Sequence, residues 1–229
     1  MLDRYTLTAL DEVAARFDAS PPAGSVPRFN VAPLQQALIR TADGIAMARW
    51  GLLPPWRGHG GKRGPHVVRT MIELIDATPM LRNAFKKQRC LVIADGFYYW
   101  QQLEKKTQPL WMHVPRDDGR PQLLGFAAVA ATHRDDDQLS FALLEAPNRT
   151  PIAGPVTGDA IWLEAPIPID PAAYATWLTG PADAARTLLA PTPPAAWRAE
   201  PVSTYVNALY HDDERCIAPL RNPLQGQLF

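Results

Sequence analysis

The chain has 229 residues, enough for one large domain or two small ones with a real buried core. Apolar residues are 47% and charged residues 20% of it, which excludes disorder and a fibrous repeat. Lys plus Arg and Asp plus Glu are 23 each, a formal net charge of zero; this excludes a nucleic-acid binder driven by bulk charge but leaves room for a local basic patch.

Arg4 to Leu7 reads as a short strand. A helix follows, capped by Thr8, with Asp11 and Glu12 at its positive end and Leu10, Val13, Ala14 and Phe17 on one apolar face. Pro21, Pro22 and Gly24 stop it, and a loop leads to two strands, Gln36 to Arg40 and Ile45 to Trp50, joined by a turn at Ala42-Asp43-Gly44. Pro54 to Pro65 is a proline- and glycine-rich loop. Val67 to Thr70 reads as a strand, and Ile72 to Lys87 as a helix that Pro79 bends or restarts. Cys90 to Ala94 has the apolar run of a buried strand, continued or bent by Gly96 to Trp100. Strands are expected at Leu110 to Val114, Leu123 to Ala131 and Leu139 to Glu145, and helices at Pro171 to Leu178 and Pro181 to Leu189; Val202 to Leu220 is irregular. The 24 prolines, roughly twice the usual share of about 5%, belong in turns and ordered loops because they fit neither helix interiors nor central strands. Short strands with few interleaved helices predict an α+β fold: a single domain over residues 1–222 around a curved, barrel-like, largely antiparallel sheet, with a tail at 223–229. The start of the chain has no long apolar run, and a soluble cytoplasmic protein with no membrane partner is the expectation.

Several segments carry possible chemistry. In Trp50-Gly51-Leu52-Leu53-Pro54-Pro55-Trp56, a tryptophan on a proline-stiffened loop can stack on a nucleobase, with Arg57, Lys62 and Arg63 nearby for phosphates; equally, one or both tryptophans can plug the core. Asn30, in Arg28-Phe29-Asn30-Val31-Ala32-Pro33, can donate to a phosphate or pin its own loop. Asp95-Gly96 is read as a turn. His59, His66, His113, His133 and His211 lack metal-ligand spacing, and Cys90 and Cys216 are too few for a cysteine zinc site or a disulfide framework. No metal or other cofactor is expected. Both cysteines adjoin apolar runs and read as small buried residues.

Taken in order, six pieces resemble the SRAP family (SOS response-associated peptidase, the abasic-site processing proteins). They are Arg4; Asn30-Val31-Ala32-Pro33; Trp50-Gly51-Leu52-x-Pro54-x-Trp56; Ala94-Asp95-Gly96-Phe97 with Trp100; Ala146-x-Asn148; and Val202-Ser203-x-x-Val206-Asn207 with Pro219. The resemblance implies one α+β domain around a barrel-like sheet, with a positively lined channel for single-stranded DNA carrying an abasic site. It also implies a cysteine at position 2, exposed after loss of the initiator methionine, whose α-amine and thiol close a thiazolidine on the sugar aldehyde. An asparagine in an N-A-R segment positions the sugar, a glutamate in a D-G-x-x-E-W segment moves protons, and a histidine in an I-H-D-R-type segment assists.

At each of those chemical positions this sequence differs. Position 2 is Leu2, bulky enough that Met1 is expected to stay; the asparagine falls at Val67 or Val68, the glutamate at Tyr99 and the histidine at Ala153. A thiazolidine needs a thiol β to an amine, a phenol of ordinary pKa near 10 transfers protons poorly at neutral pH, and Val and Ala offer no polar group. The resemblance therefore implies a degenerate member with no catalytic residues at these positions, one that binds single-stranded DNA non-covalently. The expected contacts are Arg4 and Arg69 on phosphates, Asn30 as an anchor, Trp56 as a stacking wedge, and Pro33 and Asn148 beside them. Two alternatives stand: an interaction or structural protein whose groove is closed or repurposed, and an enzyme using the Met1 amine for imine or lyase chemistry. The protein partner is left open.

Overall fold

The computed structural model describes residues 3–53, 66–104, 106–133, 137–147, 152–153, 155, 160–161, 164–190 and 197–220. In chain order the strands are β1 (Tyr5–Leu7), β2 (Arg28–Val31), β3 (Gln36–Thr41), β4 (Gly44–Trp50), β5 (Arg69–Met71), β6 (Arg89–Ala94), β7 (Gly96–Gln102) and β8 (Thr107–His113). They continue as β9 (Leu124–Thr132), β10 (Leu139–Pro147), β11 (Ile152–Ala153), β12 (Ala160–Ile161), β13 (Glu164–Pro166), β14 (Pro168–Ile169) and β15 (Arg198–Pro201). The helices are α1 (Val13–Phe17), α2 (Pro79–Lys87), α3 (Tyr174–Thr179) and α4 (Ala182–Thr187).

Strands β10, β4, β3, β6 and β9 close on themselves, because β9 pairs with both β6 and β10. The result is a five-stranded barrel, largely antiparallel, in which β10 runs parallel to β4 and to the short β5. A second sheet has the order β15-β8-β7-β1-β2. Side chains alternate along the barrel strands. Ala37, Ile39, Ala48, Trp50, Cys90, Val92, Phe126, Phe141 and Leu143 pack with Tyr5, Phe97 and Met112 of the second sheet. The alternate residues Leu38, Leu91, Ile93, Val129, Ala142 and Leu144 pack with Phe17, Phe85 and Trp177 of the helices. Every residue of β6 is buried, as expected of a strand covered on both faces. Among the described residues no helix is long and apolar enough to cross a membrane.

Most expected elements are present; three differ. Thr8 does not cap the first helix: its hydroxyl and backbone N–H both donate to Asp95, and the helical turn at Leu10–Glu12 starts without a side-chain cap. Arg28–Val31, read as part of a loop, is a strand, because its backbone pairs with β1 and so obtains the partners a buried chain needs. Finally, Gly96 to Trp100 does not extend the Cys90 strand. The chain crosses at Asp95 from the barrel into the second sheet, so β6 and β7 have different neighbours.

Asp95 accounts for that crossing. It is fully buried and accepts hydrogen bonds from Thr6 Oγ1 at 2.6 Å, Thr8 Oγ1 at 2.8 Å and Ala9 N at 2.8 Å, besides Thr8 N. It is thus a structural carboxylate, as the Asp-Gly reading supposed, but one that joins the start of the chain to the barrel instead of closing a hairpin. Arg89 plays a matching part at the helical face: buried, it donates to the carbonyls of Phe85, Trp177 and Gly180, satisfying the carbonyl ends of α2 and α3 together.

Candidate functional site

Trp50, at the end of β4, is fully buried, stacks on Phe141 and lies 5.1 Å from the Tyr5 ring. Its Nε1 donates to the Val68 carbonyl at 2.7 Å, and that carbonyl also receives the Leu143 N–H at 3.1 Å. This tryptophan is therefore the core plug of the two readings. Trp56, with Arg57, Lys62 and Arg63, lies outside the described residues, as do Leu2 and Asn148.

The Trp50 indole anchors the stretch that leads into β5. Val67 exchanges two backbone bonds with Leu52 and packs on the helical core, whereas Val68 packs on the barrel core with Tyr99. Tyr99 sits on β7 opposite Leu110. Tyr5 of β1 stands against Phe97 of β7, and Tyr98 N donates to the Arg4 carbonyl just before β1. Asp3 in turn lies 3.9 Å from the guanidinium of Arg69. The segment before β1 thus reaches the start of β5 at Arg69, while Val68 and Tyr99 pack on the same barrel core. Ala153 is in β11, paired with Ala160 of β12.

The residue that the sequence reading missed is Glu145. It continues the parity of Phe141 and Leu143 along β10 and is buried to 1% exposure, between Met71 of β5 and Pro166 of β13. Its Oε2 accepts from Arg69 Nη1 at 3.2 Å; its Oε1 has no hydrogen-bond partner among the described residues. Burial pushes the Glu145 carboxyl above the ordinary glutamate range, against the opposing pull of Arg69. Glu164 stands 3.8 Å from the same guanidinium. One cation is therefore surrounded by three carboxylates. The available signal was a lone glutamate on the inward parity of an otherwise apolar strand.

Arg69, expected on a phosphate, has its guanidinium facing these three carboxylates. Asn30, expected as an anchor, is engaged within the fold. It is fully buried, its Nδ2 donates to the carbonyls of Val206, Ala208 and His211, and its Oδ1 accepts from Arg4. These bonds anchor residues 206–211 against β2. Asp212 reinforces the same latch by accepting the N–H groups of Phe29 and Asn30 and pairing with Arg28.

Arg4 keeps its charge available. Among the described residues its hydrogen bonds all go to uncharged acceptors, Asn30 Oδ1 and Val206 O at 2.9 Å and Asn207 O at 3.3 Å. The guanidinium lies 5.7 Å from the centre of the Trp100 ring, whose Nε1 donates to Asn207 Oδ1. Burial lowers the Arg4 pKa, although a guanidinium stays protonated at any physiological pH. Pro33 is half-buried in a turn closed by Gln35 N on Ala32 O, with Leu34 at φ 70° and exposed. Cys90 and Cys216 are both buried. Among the described residues no group of three or more His, Cys, Asp or Glu is placed to hold a metal ion.

The comparisons with known proteins agree with this architecture. A crystal structure of a Bacteroides thetaiotaomicron protein matches with a TM-score of 0.72 and 16% identity, covering 95% of this chain and 99% of that one. One from Bordetella bronchiseptica matches with a TM-score of 0.66 and 23% identity, covering 88% and 99%. At such identities these likenesses show the fold. The abasic site processing protein YoaM of Bacillus subtilis is 35% identical over 116 residues, 47% of this chain and 51% of YoaM. The abasic site processing protein HMCES of Xenopus tropicalis is 27% identical over 112 residues, 46% of this chain and 32% of that protein. The aligned part of the chain spans about half the length of the bacterial relative and a third of the vertebrate one. The model of the SOS response associated peptidase family matches residues 1–209, and the chain belongs to that family, SRAP.

Proposed function

We propose that this SRAP protein binds single-stranded DNA without forming the thiazolidine cross-link. The observation that carries the reading is the placement of sulfur. The sequence holds two cysteines, at 90 and 216, and both are buried inside the fold. Their nitrogens are peptide nitrogens, so neither can present the adjacent free amine and thiol from which a thiazolidine closes. Burial also pushes both thiols above the ordinary cysteine range, against the thiolate that nucleophilic attack requires. Val68 and Tyr99 leave the neighbouring wall apolar.

Binding is supported by the Arg4–Trp100 face, which pairs a guanidinium held, among the described residues, by neutral acceptors with an indole beside it. That combination can meet a phosphate and a base. The expected mode is weak and salt-dependent.

Incubation with single-stranded DNA carrying an abasic site, with and without borohydride, tests this on denaturing gels alongside fluorescence anisotropy. The expected result is an anisotropy change that fades as salt rises and no species that survives denaturation. An adduct stable without reductant would sink the proposal. A band trapped only by borohydride would point to imine chemistry at an amine. A flat anisotropy trace would favour the second reading, an interaction protein, which the internal commitment of Asn30 and Arg69 supports.

A further inference from the structure

Glu145 has no role in the binding mode just described, and its environment is unusual for a carboxylate. A buried acid is ordinarily saturated with hydrogen bonds. Among the described residues, one oxygen has a single partner at 3.2 Å and the other has none, while Arg69 Nε also lacks a hydrogen bond. The pair is therefore held by charge more than by geometry, and it weakens if the carboxyl gains a proton.

We propose that Glu145 is a proton-operated gate on Arg69: ionised, it retains the guanidinium within the fold, and protonated, it frees that charge for the phosphate of a single strand. The ligand named here rests on the DNA reading above. Arg69 is positioned for the role, since its side chain is 19% exposed and lies at the rim with Asp3 and Glu164, themselves about half exposed.

The charged groups facing Glu145 among the described residues are Arg69 from β5, Glu164 from β13 and Asp3 from the segment before β1, and the α-amino terminus adds a smaller attraction than Arg69 that favours the ionised acid. Arg49 of β4 lies opposite Ser140 and so points to the other face of β10. Glu73, in the helical turn after β5, is exposed. The two rim carboxylates stay near Arg69 when Glu145 is neutral, but solvent-exposed pairs at 3.8 and 3.9 Å restrain a cation weakly. Protonation is also eased in the direction the gate requires, because burial already disfavours the ionised acid.

Binding of a short fluorescent oligothymidylate at low salt, compared between wild type and E145Q from about pH 8 to about pH 5, a span chosen to cross a raised glutamate, tests the gate. Wild-type affinity should rise on acidification by about eightfold at 50 mM salt, with the salt slope steepening by about 0.7, the value of one added phosphate contact on a single strand. E145Q should bind at the tighter level throughout, apart from the histidine and α-amino titrations common to both proteins. Adding R69Q to E145Q should abolish the gain. A parallel pH dependence in the two proteins overturns the gate. Binding by neither protein at any pH overturns the DNA reading beneath it.

A readout without DNA checks the proton itself. The folded carboxyl is raised, so wild type should gain stability relative to E145Q as pH falls toward the unfolded glutamate value and lose it as pH rises through the folded one. A difference in urea midpoint that is constant with pH overturns the gate even if both proteins bind.

Discussion

At the scale of single residues, Asp95 and Glu145 are two buried acids with opposite environments. Asp95 accepts four hydrogen bonds from three residues at the start of the chain, and Trp111 Nε1 extends the network by donating to Thr6 Oγ1 at 3.2 Å. Hydrogen bonds to a charged group contribute about 1.5–3 kcal/mol each, and a donor left buried without a partner costs about 1–3 kcal/mol. Replacing Asp95 with Ala strands donors on Thr6, Thr8 and Ala9 at once. D95A should therefore lose about 3 kcal/mol or more, read as a fall in the urea midpoint with an unchanged slope. A loss below about 0.5 kcal/mol, the level of an ordinary surface change, would show that this network does not hold the amino-terminal strand. Asp95 was legible as a structural residue from its place before a glycine. What the sequence could not display was the partner set, because Thr6, Thr8 and Ala9 lie almost ninety residues away along the chain. Glu145 was missed for a related reason: its importance comes from Arg69, which meets it only after β5 docks alongside β10.

Among the elements, periodicity recovered the hairpin of β3 and β4, the barrel strands β6, β9 and β10, and the helices at 79–87 and 174–187, all segments whose own side chains carry the pattern. It failed where an element owes its form to a neighbour. β2 is a strand because β1 lies beside it, and β6 and β7 separate because Asp95 is drawn to Thr6 and Thr8. Gly96 shows the same dependence. Its backbone is not left-handed; a Cβ there would stand 2.3 Å from Trp111 Nε1 and 3.0 Å from the Met112 carbonyl. The Trp111 ring is itself stacked on His113 at 4.1 Å and hydrogen-bonded to Thr6, so it has little room to retreat. G96A should thus destabilise by about 1–3 kcal/mol, the usual cost of overpacking, measured by thermal or urea unfolding. Combined with W111F, which shortens the ring and removes the clashing nitrogen, it should cost less than the two single changes summed. Additive losses would show that the glycine is required for some other reason.

Across the whole molecule, the barrel and its helical cover form one body, and the C-terminal segment is fastened to the outer sheet by a smaller set of contacts. Tyr98, Trp111, Val202, Val206 and Cys216 make a separate apolar cluster, and Asn30, Arg28 and Asp212 close it. Regions held by few contacts open with less free energy than the global transition, and the two cysteines happen to report on the two parts. Cys90 lies on β6 in the barrel core, Cys216 in the latched segment. With a thiol reagent under native conditions, Cys216 should react first, through local opening, whereas Cys90 should wait for global unfolding. Replacing Asn30 with Ala removes the donor to three carbonyls. At about 1 kcal/mol or more per lost bond in a buried network, N30A should speed Cys216 labelling by at least about tenfold. It should leave Cys90 within the change that global stability alone predicts. Equal rates for the two thiols in the wild type would mean that segment and barrel open as one unit, and the Arg4–Trp100 face, which rests on Val206 and Asn207, would then be as rigid as the barrel beneath it.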